Sequence, residues 1–271
     1  MNDHSLPVGP RGRVRQCSQE GALRFQFAIP STQARTLNDK EYLANFWHCY
    51  GLEQSDLRPG TRCTDRCPTH GPDTAIDEAK WRSGSHLLSC GCSPWRLKRH
   101  NCCGNDVLQP FFKELGYTWD DKDIHVHLTS GKRLDSRISN TAVDPVDKGV
   151  DITVGCPACE SYLTEASCRS ASYTTDELEK DKTRKHGAAT TAAGLALLTA
   201  AFTTYGGWGG QLLDGFLLPA YQERLKQEKK DGGAAWLAHH WKIDTLERMS
   251  IRIARSNYQL LAAFTRPRVS A

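Results

Sequence analysis

The sequence predicts a mixed α/β (α+β) fold: a small zinc-stabilised element, then a mixed sheet flanked by helices, then C-terminal helices. Three observations carry that expectation. Apolar residues recur at helical spacing near 37–50, 100–115 and 234–264. Short β-branched runs stand between the second and third of these, near 134–139, 150–154 and 195–205. The stretch 59–94 turns instead to Cys, Gly, Pro, Thr and His, a composition that no hydrophobic core can hold.

Residues 1–36 are rich in Arg, Gly, Pro, Ser and Gln without periodicity, which reads as a loose arm. The first helix, 37–50, has Asn38 or Asp39 as cap and Glu41 in its first turn, and it stops at Gly51. A second helix runs over 100–115, is kinked by Pro110 and ends at Gly116. Strands are expected at 124–128, 134–139 and 150–154. A capped, charged helix from about 175 leads into an Ala-rich run that breaks near Gly194. A strand at 195–205 then ends in the GGWGG turn, and helices at 211–229 and 234–264 close the chain. The second of these carries Trp236, Trp241, Ile243, Leu246, Met249, Ile253, Leu260 and Leu261. The expected domains are 1–36 (arm), 37–94 (helix plus zinc-binding element), 95–210 (core) and 211–271 (helical extension).

Composition excludes several classes. With 39% hydrophobic and 24% charged residues the chain is neither collagen-like nor wholly disordered. A net charge of +4 is too small to argue a nucleic-acid partner by itself. Residues 187–213 carry no Asp, Glu, Lys or Arg, but Thr and Gly interrupt them, so they read as helix end, strand and turn and no membrane partner is expected. No apolar leader opens the sequence, and eleven cysteines in a chain of 271 residues suggest thiols and metal ligands rather than a disulfide framework.

Cys63, Cys67, His86 and Cys90 form two closely spaced pairs that suit a tetrahedral Zn²⁺, whose binding would supply the folding energy that this segment lacks. His70, Cys92, Cys102 and Cys103 are near enough in sequence to replace one of them, as is His100. Downstream, Asp135 in KRLD and Asp151 in GVDITV stand on separate strands, where they could meet at one end of a sheet and hold Mg²⁺ through oxygen ligands. Lys182 and Lys185 lie three apart on the next helix, hence toward one face, and His186 follows them. Asp144 and Asp147 are further carboxylates between the two acids.

The order of these pieces, from the Cys pair through SHLLSC, Arg99-His100-Asn101, KRLD, GVDITV, K-x-x-K-H and TYGGWGG, resembles the region after the polymerase in non-LTR retrotransposon proteins with a restriction-like endonuclease. That resemblance spans roughly 37–265 and implies a CCHC zinc element ahead of a PD-(D/E)xK core. It assigns structural Zn²⁺ to Cys63, Cys67, His86 and Cys90, and catalytic Mg²⁺ to Asp135 and Asp151. Lys182 and Lys185 are then the lysines that steady the phosphate or the attacking water, and Arg96, Lys98, Arg99 and His100 grip backbone phosphates. The implied partners are DNA, retroelement RNA and a separate reverse transcriptase, in the nucleus or otherwise the cytoplasm. Two departures stand out: Leu134 precedes the first acid where the pattern has Pro, and Thr153 replaces the lysine two places after the second. The sequence also has no F/Y-x-D-D polymerase motif. The alternative expectation is an inactive retroelement remnant that keeps the zinc-stabilised fold as a nucleic-acid-binding or protein-interaction module.

Overall fold

The computed structural model describes residues 7–28, 32–54, 82–90, 94–121, 133–140, 142 and 144–265. Among these, helix α1 spans Val8–Gln16, α2 Asp39–Tyr50, α3 Ser85–Ser89, α4 Pro94–Cys103 and α5 Gln109–Glu114. Strands β1 (Thr118–Asp120), β2 (Ser136–Asn140) and β3 (Asp144–Gly155) follow, then α6 (Glu165–Arg169), α7 (Tyr173–Ala192) and β4 (Ala196–Thr203). Helices α8 (Leu218–Lys230) and α9 (Trp236–Thr265) complete the order.

The four strands make one mixed sheet in the order β1-β2-β3-β4. The first three pair antiparallel, and β4 runs parallel to β3 with Asp151 opposite Thr199. A parallel partner requires a crossover, which α7 supplies. The fold class is therefore mixed α/β, with a four-stranded sheet flanked by helices.

Alternation along the strands sorts the two faces. Val150 and Ile152 of β3 and Leu198, Ala200 and Phe202 of β4 turn to one side, where they join Val107, Leu108, Phe111 and Phe112 and, from α9, Leu246, Met249 and Ile253. The opposite face carries small or polar residues: Gly149, Asp151, Thr153 and Gly155 on β3, and Thr199, Ala201 and Thr203 on β4. This is the face that α7 covers. A Cβ on Gly155 would lie 2.8 Å from Leu178 and Thr174 side-chain atoms, and one on Gly149 would lie 3.5 Å from Thr190. Thr174, Leu178, Lys182, His186 and Thr190 recur every fourth residue, so a single stripe of α7 runs along β3 from Gly155 back toward Gly149.

Several expectations are corrected. The arm 1–36 is not loose where it is described: α1 packs against α6, and Gly12 sits so close to it that a Cβ would lie 2.6 Å from Ser167 Oγ. Buried polar side chains tie α1 down, and beyond it Phe25 packs with Cys49, Tyr205, Ile251 and Ala254, an arrangement without helical periodicity. Gln16, fully buried, accepts from Thr174 Oγ1, while Gln19 Nε2 donates to Thr175 Oγ1 and to Trp208 O, both at 2.7 Å. Helix α9 is no separate extension either, because its apolar residues complete the main core; only Trp236 and Ile243 of the expected stripe are exposed.

The expected 100–115 helix begins earlier, at Pro94, and passes through a π turn at Gly104–Leu108 just before Pro110. A second π turn, Leu213–Leu217, likewise precedes Pro219. Each proline lacks an N–H and crowds the carbonyl four residues back, so the widened turn relieves the clash without breaking the helix. Strand β3 starts at Asp144 rather than near 150, because its polar first half is held by ion pairs, Arg137 with Asp147 and Lys148 with Asp144. The expected strand 124–128 lies outside the described residues. Asn38 caps α2 with a reciprocal bond from Glu41, as its sequence suggests, and Gly194, at φ +75°, ends α7.

Polar side chains also join α2, α4 and α9. Asn257 on α9 donates to Asn45 Oδ1 at 3.0 Å and to Thr204 O at 2.8 Å, and accepts from Arg99 Nη1 at 3.0 Å. His48, fully buried on α2, hydrogen-bonds with Thr204 Oγ1 at 3.0 Å. Burial, reinforced by the charge of Arg13, pushes its pKa from 6.5 down to about 3. The unfolded chain thus takes up a proton below pH 6.5 that the folded protein refuses until about pH 3. His48 should leave stability unaffected above pH 6.5 and remove up to about 1.4 kcal/mol per pH unit below it. Urea unfolding between pH 7 and 5 should show this slope in the wild type and a shallower one in His48→Asn; equal slopes would contradict it.

Candidate active site

The α7 face of the sheet opens at one place into a cleft of about 480 Å³, whose walls include Arg96, His100, Arg133, Asp135, Asp151, Lys182 and His186. The two carboxylates singled out in the sequence, Asp135 and Asp151, both line it. Asp135 stands immediately before β2, where its backbone N–H donates to Val150 O at 2.9 Å and extends the β2–β3 ladder. Its Oδ2 accepts from the N–H of Ile152, the residue after Asp151, at 2.6 Å. That contact ties the first acid to the strand bearing the second.

Asp151 lies at the middle of β3 and is 4% exposed. Burial pushes its carboxyl above the usual range, and the bond and charge of Lys182 oppose the shift. Lys182 Nζ donates to Asp151 Oδ1 at 2.8 Å, while His186 Nε2 lies 3.4 Å from Oδ2. One turn of α7 separates these two side chains, so they straddle the carboxylate. Asp135 adds like charge to Asp151, which again favours the neutral form.

His100, from the last part of α4, reaches the first acid from the other side. Its Nε2 lies 2.9 Å from Asp135 Oδ2, and its Nδ1 lies 3.2 Å from Asn101 Oδ1. Burial alone would lower its pKa, but the bond and charge of Asp135, helped by Asn101 and Asp151, raise it overall.

Not every expected residue arrives. Lys185 pairs with Asp181 on the outer side of α7, because one residue before His186 is about 100° round the helix. Arg99 does not reach the surface to grip phosphate: it is 2% exposed, donates to Asn257 Oδ1 and Leu88 O at 3.0 Å each, and burial lowers its pKa to about 10. It fixes α4 against α9 and thereby aims His100. Arg96 and Lys98 are exposed, and Arg96 Nη1 also donates to Ser89 O at 3.3 Å. Asp144 and Asp147 are engaged by Lys148 of β3 and Arg137 of β2, in the first half of β3.

Sequence reasoning left His186 without a role and took His100 for a phosphate contact. The spacing of His186, four after Lys182, was the available signal.

Of the expected zinc ligands, Cys63 and Cys67 lie outside the described residues, as do the possible substitutes His70 and Cys92. His86 and Cys90 are both buried, at α3 and just past its end. Cys103 packs in the main core and Cys102 receives a bond from Arg252 at 3.1 Å. Among the described residues no group of three or more His, Cys, Asp or Glu is gathered in a form that could hold a metal ion. Two carboxylates alone remain a fitting donor set for Mg²⁺, which takes one or two such ligands and completes its shell with water and substrate phosphate. Asp151 Oδ2, buried and without a hydrogen bond, is an oxygen suited to that use.

No family model matches the chain, and neither curated proteins nor solved structures offer a match. No helix among the described residues is long and apolar enough to cross a membrane.

In metal-free buffer at pH 7, Asp151→Asn should raise the urea midpoint, since burial raises the carboxyl's pKa and the ionised form therefore costs stability, whereas a neutral amide can still accept from Lys182. Lys182→Met should lower stability by about 1–3 kcal/mol by leaving the carboxylate without its cation, whereas Lys185→Met, at an exposed pair, should change it by under about 0.5 kcal/mol. The opposite order for the two lysines would show that the cleft geometry is wrong.

Proposed function

We propose that the protein is a metal-dependent endonuclease that nicks DNA phosphodiester bonds, with the cleft as its active site. The observation that carries this reading is the convergence of Asp135 and Asp151, from different strands, beside the helix-borne ammonium of Lys182. Phosphodiester hydrolysis needs such a set: oxygen ligands for a divalent cation, and a fixed positive charge near the phosphate as negative charge builds up on it.

The roles follow from position. Asp135 and Asp151 would hold Mg²⁺, which when bound supplies Lewis-acid polarisation of the phosphate and a lowered pKa for water. Lys182 opposes the effect of burial on Asp151 and would present its cation to the phosphate. Arg96 and Arg133 on the cleft wall, with Lys98 exposed elsewhere on α4, would contact flanking phosphates and set the strand's path without reading sequence. A structural Zn²⁺ on Cys63, Cys67, His86 and Cys90 would hold the polar segment before α4. In this reading the protein is a nuclease domain of retrotransposon type that acts on target DNA, in concert with retroelement RNA and a separate reverse transcriptase, in the nucleus.

The rival, an inactive nucleic-acid-binding or protein-interaction module, is disfavoured by the pairing of a buried carboxylate with Lys182, a costly arrangement to retain without use.

A plasmid-nicking assay tests the proposal. Wild type with Mg²⁺ should convert supercoiled DNA to the open circle, Asp135→Ala and Asp151→Ala should fall to background, and Lys182→Ala should lose about a hundredfold or more. Arg184→Ala, on the outer face of α7, should cut normally. Equal nicking by wild type and Asp151→Ala would refute the assignment. Metal analysis of the purified chain should independently find about one Zn²⁺.

A further inference from the structure

The two acids are not held in the same way by the sheet, yet each has a histidine against it, and the two histidines come from helices on opposite sides of the cleft. His100 of α4 meets Asp135 Oδ2 at 2.9 Å; His186 of α7 meets Asp151 Oδ2 at 3.4 Å. Both rings are mostly enclosed, with side-chain exposures of 25% and 12%. Each is set by neighbours. Asn101 Oδ1 engages His100 Nδ1, and the buried Arg99 beside it pins α4 to α9 through Asn257. His186 sits in the same four-residue stripe as Lys182, along the strand face that Gly149 and Gly155 leave clear.

We infer that His100 and His186 are paired positioning residues, one for each metal-bearing carboxylate, which hold Asp135 and Asp151 at the spacing a divalent cation requires. The inference rests on the reading of the two acids as metal ligands and deepens it. The sheet alone fixes only part of this geometry. The N–H of Ile152 anchors Asp135, but a carboxylate still turns about its χ2, and at Asp151 only Lys182 restrains that rotation from the other side. At Asp151 His186 Nε2 stands 3.4 Å from Oδ2, the oxygen that Lys182 leaves, and at Asp135 the ring of His100 shares Oδ2 with the Ile152 N–H and leaves Oδ1 to a cation; each ring limits the rotation that remains. Outer partners of metal-ligating groups act in this manner, and their loss typically costs 10–100-fold in metal affinity or activity. The second helix-borne partner of the site is therefore His186, one turn after Lys182, and Lys185 has no part in it.

The test uses the full chain and two readouts. Mn²⁺ binding, followed by the loss of the free-ion electron paramagnetic resonance signal, should weaken about tenfold or more in His100→Leu and in His186→Leu. In the nicking assay both variants should need about tenfold more Mg²⁺ for half-maximal rate and show lower kcat with the KM for DNA unchanged. His186→Gln, which keeps a nitrogen donor near the same place, should recover most of both properties. Circular dichroism and urea unfolding establish that each variant is folded. Should His100→Leu unfold, His100→Ala takes its place under the same criteria: weakened Mn²⁺ binding supports the positioning role and unchanged binding overturns it.

Unchanged Mn²⁺ affinity and unchanged Mg²⁺ requirement in folded His186→Leu and His100→Leu would overturn the inference. So would a loss seen only in the KM for DNA, which would make the rings substrate contacts. A wild type that binds Mn²⁺ with these dependences but nicks no DNA would refute the nuclease reading and uphold the histidine assignment.

Discussion

A carboxylate at the centre of a strand governs the rest of this fold. Asp151 falls between Val150 and Ile152, which face the main core, so alternation turns it toward α7. Left without a cation there, it would be costly to keep ionised. Lys182 and His186 answer that need only if α7 lies close to β3, and that closeness depends on the missing side chain of Gly155 and the small face of β4. The ion pair, Gly155 and the parallel β3–β4 pairing form one connected constraint. Burial holds the Asp151 carboxyl above its usual range even with Lys182 beside it, so the compensation is incomplete.

A second constraint acts from the other side of the cleft. Asn257 joins α2, α4 and the end of β4 through Asn45, Arg99 and Thr204, all in places closed to water. Buried polar groups of this kind hold a single arrangement because any shift leaves one of them unsatisfied. Arg99 is the informative member. Its neighbours Arg96 and Lys98 face solvent, whereas it turns inward and fixes the rotation of α4, which in turn places His100 on Asp135. The basic cluster thus divides into a structural pin, a site histidine and exposed cations.

The same division explains how much was legible. Helices α2, α7 and α9 and strands β2, β3 and β4 were readable because caps and apolar periodicity report directly on burial. Helix α1 was missed because Gln16, Gln19 and Gly12 hold it, and such residues carry no periodic signal. Strand β1 is three residues long and relies on Trp119 stacking with Phe112. The inward turn of Arg99 depends on Asn257, 158 positions away. No local pattern could reveal it.

Within the candidate site, sequence alone determined the chemistry on offer: two acids on β-branched strands, a helix bearing Lys182, Lys185 and His186, and a preceding Arg-His-Asn. Only tertiary structure decided which of them meet. Three residues and four residues along a helix differ by about 100° of rotation, and the direction of β3's glycine face selected Lys182 and His186 and left Lys185 outside. Residue type is a property of one position, whereas convergence is set by strand register and helix rotation, which depend on contacts distributed over the whole chain.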